Sequence, residues 1–329
     1  MKKLFKLAIL SLSLLTVMSG AAVAPALGII SRYFSDVNPV FIKMILTLPA
    51  FFIIPFTLIS GKLVSRLNKK TIVIIGLCLY ILGGIGGGFA RTIYELLFFR
   101  AILGIGVGLI MPLSTGLIAD FFTNEERIKM IGYSAAVNNL GGIIATLASG
   151  LLAAISWRYS FGVYFMGVLV FLLVIFALPE PERKAEIQTE KSSLSKNVFK
   201  MAFSGFIITI IFYTVPTNLS LFLTNEGIGG AGTSGVMISL MTFSSFLLGM
   251  SFSKIINYLQ KSTVIFSLTS LLIGFLLLSL ANSIYIVVLG VIFIGAGLGI
   301  LMPLIMLNTA KSTQLKAHIK KILPLHLQW

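Results

Sequence analysis

Apolar residues in this chain do not form stripes; they form unbroken runs. Ten stretches are almost wholly apolar, at roughly 5–30, 39–60, 71–90, 93–118, 131–155, 159–178, 199–224, 232–256, 262–281 and 284–308. A helix on a soluble core would show polar residues on its outer face. These runs show no such polar face, and most are near the ~20 residues that a helix needs to cross a bilayer. Lipid offers no partner to a bare peptide group, so only helices or closed barrels span it. Barrel strands would alternate over about ten residues; these runs are longer and continuous. The pattern predicts an all-α, polytopic membrane protein.

The breaks between runs are short, with one exception. The stretch at 180–198, within "PEPERKAEIQTEKSSLSKN", is polar, mixed in charge and reads as a cytoplasmic linker. It separates a six-helix bundle at 1–179 from a four-helix bundle at 199–310, followed by a basic, atypical tail at 311–329. The two bundles share a signature. "LGIGVGLIMPL" at 103–113 and "IGAGLGILMPL" at 294–304 place Gly104, Gly106, Gly108 and Pro112 against Gly295, Gly297, Gly299 and Pro303, an offset of 191 residues (295 − 104). Parallel repeats of this kind build transporters that hold cargo between two halves.

Composition agrees with the pattern: 57% of the 329 residues are hydrophobic and 11% charged, too little polar surface to cover a soluble domain. The net charge of +15 invites a nucleic-acid reading, but its distribution argues otherwise. With the N-terminus inside, 20 of the 25 Lys and Arg fall in inner segments, four (Arg32, Lys43, Arg91, Arg158) in outer ones, and Arg100 within a span. That asymmetry is the positive-inside rule. It predicts a multi-pass protein of the cytoplasmic membrane with a cytoplasmic N-terminus, bound to the lipid bilayer and not to nucleic acid.

Catalytic chemistry is hard to find. One cysteine, Cys78, excludes an intrachain disulfide, and His318 and His326 are too isolated for a metal site. No Ser-His-Asp, Cys-His or paired-carboxylate set falls within a span, so neither an enzyme nor a cofactor is expected. "GGIGGG" at 83–88 lies in an apolar helix and reads as close helix packing rather than a nucleotide loop. The basic start, apolar middle and Ala22–Ala24 resemble a signal peptide. The apolar run continues to Ile30, however, and its removal would invert the charge count, so the segment is expected to stay as the first helix.

Four local stretches resemble the major facilitator superfamily, with the feel of bacterial drug or metabolite exporters. "GKLVSRLNKK" at 61–70 is similar to the family's loop between helices 2 and 3 at Gly61, Leu63, Arg66, Lys69 and Lys70. "RAILGIGVG" is similar to its R-x-x-x-G-x-G pattern at Arg100, Gly104 and Gly106. "DFFTNEERIKMIGY" resembles the inner loop between helices 4 and 5, and "SWRYSFGVYF" the outer turn into helix 6. The resemblance implies a two-bundle fold and a secondary active transporter of small organic molecules. It would work by alternating access, with efflux by antiport and a proton as candidate coupling ion.

The departures are informative. The loop's acid, which the resemblance assigns to latching the closed outward-facing state, falls on Ser65, and its second glycine on Asn68. "VNNLGG" at 137–142 has Val137 and Asn138 where the exporter pattern has Gly-Pro. The family has twelve helices; this chain shows about ten, six plus four, with helices 11 and 12 missing. A frameshift or early stop is the leading reading; a ten-span design, or a partner supplying the rest, are the alternatives. A non-transporting remnant or an assembly subunit is accordingly the rival function.

Arg100 is the one basic residue well inside a span, which makes it a candidate for the substrate pathway. The other reading is that it binds carbonyls of neighbouring helices. Asn138, Asn139, Tyr213 and Asn218 are further pathway candidates. Gly61, Arg66, Lys69, Gly104, Gly106, Gly108 and Pro112 are candidates for conformational gating. No carboxylate lies deep in a span, which weakens proton antiport and suits neutral or apolar cargo; Glu95 is the acid that could come nearest Arg100.

Overall fold

A computed structural model describes residues 2–181 and 196–322. Most of the expected linker and the last seven residues of the expected tail lie outside the described residues. The described part contains helices and no β-strand. The helices are α1 (Lys2–Ala21), α2 (Leu27–Tyr33), α3 (Pro39–Leu63), α4 (Lys69–Gly86), α5 (Ile93–Phe121), α6 (Asn124–Ile155) and α7 (Met166–Ala177). There follow α8 (Lys196–Asn225), α9 (Ala231–Met250), α10 (Phe252–Leu259), α11 (Thr263–Ser279) and α12 (Ile284–Ile322). A 3-10 turn at Ala24–Ala26 joins α1 to α2, and another at Trp157–Phe165 leads into α7.

Nine stretches among the described residues are helical, long and apolar enough to cross a membrane. The expected ninth span is α11, whose 17 residues reach only about 25 Å at 1.5 Å each. It makes a tenth candidate span when joined to α10, from which it is bent by 113°.

Local chemistry sets the helix ends. Asn38 caps α3 by accepting from Val40 N at 2.9 Å, with Pro39 at the first helical position, where its missing N–H costs nothing. Thr92 caps α5 by accepting from Glu95 N at 3.2 Å, and the Glu95 carboxylate reaches back to Arg91 N at 2.7 Å. Both Glu180 oxygens accept from the first turn of α4, from Lys69 N at 2.8 Å and Lys70 N at 3.0 Å.

By contacts the chain forms two compact units. One holds Met1–Arg183 with Pro216–Thr242; the other holds Lys184–Val215 with Phe243–Trp329. In the first, α5 is the central element: α3 and α4 flank it, and α1 packs on it and on α6. In the second, α11 and α12 form the tightest pair. Outward-facing side chains such as Phe51, Phe98, Leu151 and Phe176 are large, apolar and exposed, as expected where lipid is the solvent.

Candidate functional site

The glycine repeat is a repeat of contacts. A Cβ on Gly106 would lie 2.6 Å from Gly76 O and Tyr80 N of α4. On Gly108 it would lie 2.8 Å from Phe56 Cβ and 2.9 Å from Ile53 O of α3, and on Gly104 2.8 Å from Pro49 Cα. So α5 uses Gly104 and Gly108 against α3 and Gly106 against α4. In the second unit, a Cβ on Gly297 would lie 2.7 Å from Ser267 O of α11, and one on Gly299 2.8 Å from Ser245 Cα of α9. Gly83 packs on Phe99 O and Leu103 of α5; Gly274 packs on Gly290 O and Ile294 of α12. Gly76, Gly83, Phe99, Leu103 and Gly106 are displaced by the same 191 positions from Ser267, Gly274, Gly290, Ile294 and Gly297, whereas Ser245 stands one position past the equivalent of Ile53. α5 runs unbroken through Pro112, which leaves the carbonyl four residues earlier, on Gly108, without its usual helical donor.

Arg100 is fully buried. Its Nε donates to Ile45 O of α3 at 2.7 Å, Nη1 to the Tyr164 hydroxyl at 2.6 Å and Nη2 to Ser19 O of α1 at 2.7 Å. The Tyr164 hydroxyl donates in turn to Ser19 O at 2.8 Å. The Tyr80 ring meets that of Tyr164 edge-on at 5.7 Å. The Ser19 carbonyl thus accepts from both Arg100 and Tyr164. Glu95 does not reach it, because the cap at Arg91 N holds its carboxylate.

Arg100 bonds to none of the other pathway candidates. Asn138 is half-buried on α6, and its Oδ1 has no hydrogen-bond partner among the described residues. Asn139 turns its amide back to Ala135 O of its own helix at 2.9 Å. Tyr213 and Asn218 are half-buried on α8, Tyr213 in the second unit and Asn218 in the first. Around the loop from α3 to α4, a Cβ on Gly61 would meet nothing within 4 Å, and Arg66 is exposed. Lys69 Nζ pairs with Asp120 at the end of α5 at 2.7 Å. Lys70 Nζ donates to Ile175 O of α7 at 2.9 Å. This loop is tied to α5, α7 and Glu180, while the Ser65 hydroxyl donates to Lys62 O nearby.

The clearest seam was not legible as a site in the sequence. It lies at the end of the first unit opposite the N-terminus. Ser220 of α8 donates to Pro25 O at 2.6 Å and accepts from Gly28 N at 3.0 Å, filling the break between α1 and α2. One turn on, Arg32 Nη2 donates to Thr224 O. Across the same end, Thr146 Oγ1 of α6 meets Ser239 Oγ of α9 at 2.5 Å. Ser239 donates to Ile143 O at 3.2 Å, and a Cβ on Gly150 would lie 3.0 Å from Gly235 Cα. The participants fall at four-residue spacing: Thr146 and Gly150, Ser220 and Thr224, Gly235 and Ser239. Small residues so spaced let membrane helices approach closely; that spacing was the available signal.

Against this geometry, comparison with known proteins is decisive. The model of the Major Facilitator Superfamily matches residues 9–319. The chain belongs to that superfamily. It is 28% identical over 264 residues to the quinolone resistance protein NorA of Staphylococcus aureus, covering 72% of this chain and 64% of NorA. It is 33% identical over 159 residues to multidrug resistance protein 1 of Bacillus subtilis (strain 168), covering 46% and 40%. The chain thus spans less than two thirds of the length of these relatives. Among solved structures, the nucleoside transporter NupG aligns with a TM-score of 0.71 at 13% identity, over 94% of this chain and 86% of that one. An inward-facing bacterial homologue of the lysosomal transporter Spinster aligns at 0.69 and 16%, over 94% and 78%. These likenesses establish the two-bundle superfamily fold.

Proposed function

We propose that this chain serves secondary active transport of small organic molecules across the cytoplasmic membrane, in the outward direction, by alternating access. The observation that carries the reading is superfamily membership along nearly the whole sequence, joined to likeness with proteins named for quinolone and multidrug resistance. The cytoplasmic N-terminus rests on the distribution of Lys and Arg. With that orientation, the seam of Ser220, Thr146 and Ser239 is the extracellular gate in its closed form. The cargo class is amphipathic and weakly charged, because carboxylates among the described residues sit at helix ends. Asn138, with a free acceptor, is the first pathway candidate, with Asn139, Tyr213 and Asn218 after it. Arg100 acts as a brace that keeps α1, α3 and the Trp157–Phe165 turn in register while the gate moves. The bundles at 1–179 and 199–310 are the two moving bodies.

The test is accumulation of a fluorescent quinolone in inside-out vesicles holding the full chain, with and without a proton gradient. Accumulation above that of empty vesicles, reduced in Asn138→Ala, is the expected result. Dependence on the gradient would make the proton the coupling ion. Signal equal to that of empty vesicles overturns transport by this chain and favours a non-transporting membrane protein.

A further inference from the structure

A cavity of about 640 Å³ lies in the first unit, at the end opposite the N-terminus. Its walls are Ile85 near the end of α4, the link from α4 to α5 at Gly88, Phe89 and Arg91, Leu152 of α6 and the Trp157–Phe165 turn. The glycine run at 83–88 creates it. A Cβ on Gly84 would lie 2.6 Å from the Tyr164 ring, and one on Gly88 3.0 Å from Arg158 O, so the turn can lie directly on α4. The backbone approach leaves a hollow beside it instead of a filled contact.

Two guanidinium groups line that hollow, those of Arg91 and Arg158. Arg158 is fixed: it donates to Ala90 O at 3.0 Å and stacks on Trp157, with its guanidinium carbon 4.4 Å from the ring centroid. Arg91 is exposed, and its guanidinium has no hydrogen-bond or ion-pair partner among the described residues. Glu95, the nearest acid in sequence, is held by the Arg91 backbone instead. Two guanidiniums against that one carboxylate leave the rim of the hollow net positive. Its remaining wall is aromatic and open: Phe89 is 76%, Tyr159 56% and Phe165 59% exposed. Such rings face lipid in a membrane protein. A cationic rim above apolar, lipid-facing walls matches a ligand with an anionic head and an acyl body.

We infer that this cavity binds the headgroup and upper acyl chain of one anionic phospholipid, with Arg91 and Arg158 on the phosphate and Phe89, Tyr159 and Phe165 on the chain. A free inorganic or sugar phosphate would gain nothing from the open aromatic wall, which is the reason to assign a lipid. The assignment is independent of transport.

The chain reports on the site itself, since it holds two tryptophans, Trp157 and Trp329. Trp329→Phe leaves Trp157 alone beside Arg158. The full chain in vesicles is titrated with brominated phosphatidylglycerol or brominated phosphatidylcholine, and quenching of Trp157 is read. The expected preference for phosphatidylglycerol is about tenfold or more, falling about fivefold in Arg91→Gln, since each basic group near the surface contributes of that order. Gly162→Leu, at a lining position where a Cβ would have 3.9 Å to its nearest neighbour, should fill the hollow and abolish the preference without removing a charge. Equal quenching by the two lipids overturns the inference. So does a preference unchanged in both variants, or one erased by millimolar glycerol phosphate, which would reassign the site to a soluble anion.

Discussion

The pair α4–α5 and the pair α11–α12 are one piece of packing written twice. Gly83 on Phe99 and Leu103 becomes Gly274 on Gly290 and Ile294; Gly106 on Gly76 becomes Gly297 on Ser267. The registers match residue for residue, yet the cores differ. Where the first pair buries Arg100 and Tyr80, the second buries Val291 and Leu271. Backbone approach through glycine is therefore enough to hold such a pair in lipid, with or without a buried cation. Arg100 is doing something else: its three partners lie on Ser19, Ile45 and Tyr164, outside the pair it belongs to.

The comparison breaks first if the glycines are not equivalent. Gly83→Val places a Cβ 2.6 Å from Phe99 O, and Gly274→Val one 2.8 Å from Gly290 O. Both strike backbone, which no rotamer change relieves, so each should cost about 3 kcal/mol or more. Thermal unfolding of the full chain in detergent would register two losses of similar size. A mild effect at one site only would mean that the shared register does not carry shared energy.

Exchanging the cores gives the next largest effect. Val291→Arg puts a charge where the second unit has no matching set of acceptors and should cost about 2.5–3.5 kcal/mol. Arg100→Leu, which makes the first core resemble the second, should cost less, about 2 kcal/mol, because lost charge-assisted hydrogen bonds are partly offset by relief of a buried cation. The same unfolding measurement ranks the two. If Arg100→Leu proves the more damaging, the brace across α1, α3 and the turn outweighs the desolvation of a charge.

Much of this was readable beforehand, for a physical reason. Lipid suppresses the polar alternation that makes soluble sequences ambiguous, so long apolar runs give the spans directly. Spaced glycines gave the repeat, because close helix approach in a membrane depends on small residues. Arg100 was identified as unusual, but its partners were invisible: two are backbone carbonyls, which carry no residue-type signal, and the third, Tyr164, lies 64 positions away. Glu95, five positions from Arg100, is held away from it for a local reason, since a first-turn acid competes for its own helix cap. The Ser220, Thr146 and Ser239 seam was missed because a hydroxyl in an apolar run more often bonds back to its own helix, as Thr209 and Thr214 do.

That seam offers a smaller perturbation with a conformational readout. Ser220→Ala removes one donor and one acceptor at the break between α1 and α2, worth about 1 kcal/mol, or roughly a fivefold shift between closed and open forms. Ile30, fully buried on α2, can be replaced by cysteine in a Cys78→Ser background. Its labelling by a membrane-impermeant maleimide should rise about fivefold when Ser220→Ala is added. No change would mean that the Gly150–Gly235 approach alone keeps this end shut.

The smallest effect belongs to the loop between α3 and α4. In the first unit Lys69 starts α4, its amide capped by Glu180 and its ammonium paired with Asp120; at the equivalent place in the second unit stands Gln260, with φ of 45° and a sharp bend after it. Lys69→Met should cost only about 0.5–1 kcal/mol, because the pair is partly solvated. The double exchange Lys69→Asp with Asp120→Lys should recover most of that in the unfolding assay, since it restores the attraction with its sign reversed. Recovery would locate the order of this loop in the ion pair. Failure to recover would locate it in the Glu180 cap, which the exchange places beside a new carboxylate and therefore weakens.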